Sequence, residues 1–482
     1  MVFNSLSYLI LLLVVVPLYW YLSYNKRLLL IFISSLIFYG FWKIEFILLV
    51  LVSVCTGWYF SHKIFLQKNI KKRKKLLLAS LAINLGILVY FKYLIFLSQS
   101  FFSFVNLIGL DIGQITLNII LPLGISFYTF QNISYLVDVY RKNINPEKNF
   151  ILFSCYITFF PQLVAGPILR AKEVIPQFKN RAPFSIDNIS IGTRRILYGL
   201  FLKVVLADQI AGLVDEGFSI PPYNLSPLDV WTLSFLFGFQ IYFDFSGYSH
   251  IAIGSARLIG IRFPENFNFP YLSHTPKEFW KRWHISLSSW VRDYLYLPLI
   301  GKKNLNKSLG GISVAIEKTS FFPLLLVWSL MGFWHGANWT FLIWGLYHAI
   351  FIFIYRLAAY LSLDILTMFK NKILSLLITL PLIMLSWIPF RSQSINETFV
   401  MWLKVFDFGD YLTLNLRENT YLITAILAIS IFIVYLFNQK IIPYLKKFNY
   451  LIKILDIIFI AIITIFVFIF FQRINQFIYF QF

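Results

Sequence analysis

Charge is the first thing this chain lacks. Only 13% of its 482 residues are Asp, Glu, Lys or Arg, about half the ~25% usual in a soluble domain. Acids are the scarcer sign, 21 against 42 Lys and Arg. With 59% hydrophobic residues and a mean hydropathy of +0.73, there is too little polar side chain to cover a water-soluble body of this size. An integral membrane protein follows. The alternating pattern of a β-barrel is missing, so the spans are helical. Cysteine is nearly absent. Cys55 and Cys155 both lie in apolar runs, which gives no disulfide framework and no metal spacing; they read as small buried hydrophobes. No G-x-S-x-G, Walker loop, G-x-G-x-x-G or H-E-x-x-H occurs, so serine-triad hydrolysis, ATP-driven transport and zinc chemistry lose support. The six histidines show no metal spacing. The apolar N-terminus lacks a basic leader and a small-residue cleavage site and reads as a retained helix.

What is there is cation, and it is sorted. A net charge of +21 would suggest nucleic acid in a soluble protein. In a polytopic membrane protein it marks cytoplasmic loops. Apolar runs at 6–24, 28–42 and 45–61 precede residues 62–75, which carry seven Lys and Arg and no acid. Residues 76–98 cross outward, 99–117 hold only Asp111, and 118–137 return to Arg141 and Lys142. The run 150–167 has cations on both sides and is interrupted by Pro161, Gly166 and Pro167. It reads as a re-entrant element, tolerated at membrane depth only beside protein or a cavity.

A helix from Arg194 to about 214 leads to an acidic stretch, 215–230, outside. The helix 231–248 returns to 257–307, where nine cations face three acids; aromatic and amphipathic, this cytoplasmic part resembles interfacial helices. Spans at 321–333, 338–356, 373–390, 420–437 and 453–472 follow, with 391–419 outside and Lys440, Lys446 and Lys447 inside. The expected fold is an all-α polytopic membrane protein, one domain over 1–482, with about 11–13 transmembrane helices and both termini outside.

Within this scaffold the stretch Met331–Trp344, MGFWHGANWTFLIW, carries His335 among Trp334, Trp339 and Trp344. An ionisable residue at membrane depth is costly and reads as functional by default; the alternative is a histidine bonded to a carbonyl at a helix break. Seventeen residues separate Lys318 from His335, about 25 Å of helix against a ~30 Å hydrocarbon core. Gly336 and Asn338 then break the helix, so His335 lies at depth, nearer the outer side. His284, in WKRWHISLSSWVRDY, is the second candidate. Lys281, Arg282 and Arg292 around it favour a neutral imidazole, but a plain interfacial histidine fits equally. Asp244, in QIYFDFSGYSHIAIG, needs a partner, and an ion pair with Arg194 or Arg257 is the expected one. Lys203 and Asp208, five apart on one helix, are left without a role. His250 and His348 read as packing or helix-end residues.

Several stretches together give a resemblance. LPLGISFYTFQNISYLVDVYR, FFPQLVAGPILR, YFDFSGYS, FPENFNFPYLS, EFWKRWHISLSSWVRDYLYLPLIG and FWHGANWTFLIWGLYH occur in an order similar to the membrane-bound O-acyltransferase (MBOAT) family. They look most like its bacterial branch containing the alginate O-acetyltransferase membrane subunit. The resemblance implies a ring of helices with funnels meeting at a central tunnel, and matches His335 and His284 to the family's two characteristic histidines. His250 stands where an Asp often follows GYS in that branch, which leaves the acceptor open.

The chemistry implied is acyl transfer without a bound cofactor. A cytoplasmic thioester, acetyl-CoA or an acylated carrier, meets an acceptor hydroxyl of an extracytoplasmic polysaccharide or of a periplasmic or extracellular acetyltransferase partner. His335 is the base. Asn338, Trp339, Trp334 and His284 are candidates to bind substrate or the oxyanion, with Asp244 beside them, and Lys281, Arg282 and Arg292 could meet CoA phosphates. The implied location is the cytoplasmic (inner) membrane, with lipid around the chain and no nucleic acid bound. Two other readings stay open: a D-alanyl transfer subunit fed by a carrier protein, and a non-enzymatic polysaccharide transporter.

Overall fold

The computed structural model describes residues 1–110, 117–164, 166–180, 183–301, 321–361, 371–437, 449–471 and 477–478. Asp111, Lys302, Lys303, Lys307, Lys318, Lys440, Lys446 and Lys447 lie outside the described residues. The regular structure of the described chain is all helix, with no strand. Among the described residues six helices are long and apolar enough to cross a membrane: Phe46–Leu66, Ile70–Leu107, Ile186–Ser219, Trp339–Ala358, Lys372–Arg391 and Glu418–Leu436. Shorter apolar helices include Leu6–Tyr21, Phe321–His335 and Ile454–Phe470. The protein is an all-α polytopic membrane protein. Its outer helix faces stay apolar, with residues such as Leu13, Phe104, Leu107, Leu403 and Phe468 more than half exposed, as lipid contact requires. Cys55 also belongs to such a face. It is exposed, unlike the buried residue its apolar run suggests.

The chain divides into two compact units. The first comprises Met1–Ile196 with Ser249–Pro264. The helix Ile125–Tyr140 is buried along nearly all its length. Its Asn132 Nδ2 donates to the Ser53 carbonyl at 2.7 Å and to Asn84 Oδ1 at 3.0 Å. Three helices are thereby tied by one amide, and Gly57 is required beside it, since a Cβ there would sit 2.0 Å from Asn132 Oδ1. The cations expected in a loop over 62–75 fall largely in a helix instead: only residues 67–69 separate Phe46–Leu66 from the next helix, which starts at Ile70. The interrupted run at 150–167 forms a helix of nine residues, Phe150–Thr158, followed by buried irregular chain. That chain is satisfied by protein: Phe160 N–H donates to Ser35 Oγ, and Leu169 O accepts from Tyr156. Such backbone is viable in a bilayer only with internal partners.

The second unit comprises Leu197–Tyr248 with Glu265–Gln481. The helix Pro227–Leu258, which begins in this unit, exceeds the expected 231–248 and starts with a reciprocal cap. Ser226 N–H donates to Asp229 Oδ2 at 2.8 Å and Asp229 N–H to Ser226 Oγ at 3.2 Å, satisfying free amides at the helix start. Asp229 also accepts from Asn415 Nδ2 at 3.0 Å and from the Tyr421 hydroxyl. Arg391 pairs with Asp215 at 2.8 Å and Arg417 with Glu216 at 2.7 Å. The two stretches that the charge pattern puts outside, 215–230 and 391–419, are therefore joined.

A second polar cluster lies deeper. Lys203, in a π-helical turn Phe201–Ala207, pairs with Asp208 at 2.8 Å and Asp244 at 3.1 Å, all three side chains nearly fully buried. This corrects the expectation for Asp244, whose partner is Lys203 rather than Arg194 or Arg257, and gives Lys203 and Asp208 the role the sequence left blank. Asp244 Oδ2 also accepts from the Ile478 amide at 2.8 Å. A carboxylate buried in an apolar run needs this set of partners to stay folded.

Candidate active site

The hairpin around His335 follows from four small residues. The helix Phe321–His335 ends on the histidine, and Trp339–Tyr360 begins after three residues, so the break lies where Gly336 and Asn338 predict it. Asn338 Oδ1 caps the second helix by accepting from Thr340 N–H at 3.0 Å. The two helices pack closely because Gly332 and Gly345 leave room. A Cβ on Gly332 would lie 2.2 Å from the Phe341 carbonyl oxygen, and one on Gly345 2.3 Å from that of Trp328. Small residues at such crossings are how apolar helices associate in lipid. Gly336 completes the set: a Cβ there would meet the Phe341 ring at 2.1 Å.

His335 is 3% exposed and sits among rings. Its centroid lies 4.8 Å from Trp344, 4.9 Å from Trp334 and 5.0 Å from Phe390. Trp344 continues to His348 at 4.8 Å, and His348 lies against Trp280 at 4.9 Å and Trp328 at 5.4 Å. Trp387 joins through Phe390 at 5.5 Å. The buried indole N–H groups of Trp280, Trp328, Trp344 and Trp387 find no hydrogen-bond partner among the described residues. A row of orphan donors beside a histidine is where a polar substrate would be satisfied.

His284 belongs to the same cluster. It is completely buried, with the Phe245 ring edge-on at 4.6 Å and Trp334 at 6.0 Å. Trp334 thus touches both candidate histidines. Burial pushes the His284 imidazole down to about 3. Desolvation, rather than the nearby cations, is what favours the neutral form. Its backbone is left-handed, φ 41° and ψ 55°, a conformation that costs a non-glycine residue about 1 kcal/mol or more. Two main-chain bonds hold it there: Ile285 N–H to Asn266 O and Asn268 N–H to Arg282 O, each 2.9 Å.

The other sequence candidates divide. Trp334 packs on His335, and Asn338 caps the helix that follows the break. Trp339 is 46% exposed, with its ring against Phe333 at 6.0 Å. Arg282 is engaged in structure, bound to Glu278 at 2.7 Å and to the Asn268 carbonyl at 3.2 Å. Arg292 pairs with Asp293 at 2.7 Å. Lys281 is exposed. Asp244 is held by Lys203. Sequence reasoning missed Asn266, which bonds His284, and Trp387 and Phe390, which come from a distant helix. The two asparagines of NFN were the signal available for the first; nothing local marks the others. Among the described residues no group of three or more His, Cys, Asp or Glu could hold a metal ion.

The membrane scaffold thus holds one buried histidine at a helix break and a second on a strained turn, both against the Trp334 ring. Comparison with known proteins gives the family. Residues 146–369 match MBOAT, the membrane-bound O-acyltransferase family. The chain is 37% identical over 413 residues to the "Probable alginate O-acetylase AlgI" of Pseudomonas aeruginosa, covering 85% of this chain and 76% of that one. It is 37% identical over 393 residues to the peptidoglycan O-acetyltransferase of Helicobacter pylori, covering 76% and 71%. It is 31% identical over 242 residues to the teichoic acid D-alanyltransferase of Streptococcus thermophilus, covering 47% and 55%. The chain belongs to the MBOAT family, and it is a multi-pass membrane O-acyltransferase.

Proposed function

We propose that this enzyme moves an acetyl group from a cytoplasmic thioester to a hydroxyl outside the inner membrane, on a polysaccharide or on a partner acetyltransferase that serves one. The carrying observation is the placement of His335, the last residue of an apolar helix, buried at a break and ringed by indoles. The relatives named as O-acetylases, on alginate and on peptidoglycan, support acetyl as the group and a polymer as the acceptor.

His335 takes the proton of the acceptor hydroxyl as general base. The oxygen attacks the thioester carbonyl, the tetrahedral intermediate collapses, and the thiolate leaves toward the cytoplasm. Asn338 Nδ2 is the candidate oxyanion donor, its Oδ1 being used in the helix cap. His284 is the second catalytic group. Acetyl-CoA fits as donor substrate, and exposed Lys281 is the cation best placed to meet its phosphates, since Arg282 and Arg292 already have carboxylate partners. D-alanyl transfer from a carrier is less supported, because that similarity covers 47% of the chain against 85% for the alginate enzyme.

The test is mass spectrometry of envelope glycans from a deletion strain complemented with the wild type or with His335→Ala. Loss of an acetyl ester in the deletion, restored only by the wild type, is expected. Full restoration by His335→Ala would discard His335 as the base, and an ester profile untouched by the deletion would discard the proposed function.

A further inference from the structure

Asn266 makes a contact that decides what His284 can do. The residue is 1% exposed and lies on the irregular chain before Pro270. Its main-chain oxygen accepts from Ile285 N–H at 2.9 Å. Its side-chain Oδ1 is within 3.3 Å of Ser286 N–H, 2.9 Å of Ser286 Oγ and 3.1 Å of His284 Nδ1. A backbone N–H can only donate. The Asn266 atom facing this group is therefore the oxygen, and an oxygen that faces an imidazole nitrogen accepts from it. His284 then carries its proton on Nδ1.

The opposite nitrogen follows. In a neutral imidazole with the proton on Nδ1, Nε2 holds a lone pair. His284 Nε2 is buried and has no hydrogen-bond partner among the described residues, on a ring whose neighbours are Phe245, Phe267 and Trp334. Nothing in that aromatic wall donates to it in the structure. It is an acceptor that waits for a donor.

We infer that Asn266 is a positioning residue that locks His284 as the Nδ1–H tautomer, so that Nε2 meets a substrate N–H or O–H and does not donate to the oxyanion. The inference rests on His284 being part of the acyl-transfer site, and it removes one of the oxyanion donors that the sequence suggested. The left-handed turn at His284 supports it. That strained backbone brings Nδ1, Ile285 N–H and Ser286 N–H together on one asparagine, which fixes the ring in orientation as well as tautomer.

The spectroscopic test uses full-length protein in lipid bilayers with ¹⁵N-labelled histidine, the His284 signals being assigned by difference against His284→Gln. Wild type is expected to show a protonated Nδ1 and an unprotonated Nε2. Asn266→Ala is expected to lose that signature, and Asn266→Asp, which keeps the acceptor oxygen, to retain it. A wild-type signal protonated at Nε2, or a tautomer unchanged in Asn266→Ala, would overturn the inference; the second result would leave Asn266 as a helix cap only. Acetyl-ester content in the complemented strain gives the second readout. Asn266→Ala is expected to fall at least about tenfold, as for lost supporting bonds to working histidines, with Asn266→Asp partly restoring it. If the tautomer is as stated and His284→Ala keeps full activity, the catalytic role of His284 fails while the tautomer assignment stands.

Discussion

At the scale of single residues, the buried charges and the histidines follow different rules. Lys203 answers two carboxylates, Asp208 and Asp244, in a setting where all three side chains are nearly buried. Removing the cation leaves two uncompensated anions, and breaking such a pair costs about 3–5 kcal/mol. Lys203→Met is therefore expected to lower the melting temperature of the detergent-solubilised protein sharply. Asp208→Asn, which still leaves Lys203 paired with Asp244, is expected to cost less. Equal melting temperatures for the two variants would show that the triad is not held together as a charge cluster. His335 and His284, by contrast, have rings rather than acids for neighbours. Their surroundings suit groups that must meet a substrate, and Trp334 links the two.

At the scale of elements, the decisive unit is the hairpin of Phe321–His335 and Trp339–Tyr360. Its geometry depends on the mutual fit of Gly332 and Gly345 against opposing carbonyl oxygens. Gly345→Val forces the helices apart, with an overpacking cost of about 1–3 kcal/mol, and displaces His335, the proposed base, from its place at the break. Acetylation is expected to fall further than the melting temperature alone would imply, since displacement by 1 Å can cost on the order of 100-fold in rate. Equal loss in folded protein and in ester content would place the effect in folding only. The hairpin was largely legible in the sequence: the apolar run, the Gly336 and Asn338 break and the terminal histidine all stand where expected. The loop at 62–75 was not, because lysines follow positive-inside placement whether the backbone is looped or helical.

For the whole molecule, the pairing of Asp215 with Arg391 and of Glu216 with Arg417 puts two separate stretches on one side. Single cysteines introduced at Ser219 and Gln393 in a background lacking Cys55 and Cys155 are expected to react with a membrane-impermeant maleimide from outside intact cells. A cysteine at Lys71 is expected to react only after permeabilisation. Labelling of Ser219→Cys and Gln393→Cys from opposite sides would break the charge-based orientation and the position of His335 derived from it.

The amino-acid sequence by itself determined the membrane setting and the helical class and singled out the two histidines as candidates, because composition, run length and local motifs are one-dimensional properties. It also set the orientation expectation through the sorting of Lys and Arg. The tertiary structure alone decided the partners. Asp244 went to Lys203 and not to an arginine, since burial at membrane depth makes spatial proximity decisive and sequence distance irrelevant. Phe390 and Trp387 entered the site from a helix more than forty residues downstream of Trp344. Asn266 reached His284 only because a strained turn folds the chain back on itself. Which nitrogen of that histidine carries the proton is set by this contact, and a contact of that kind has no counterpart in a linear pattern.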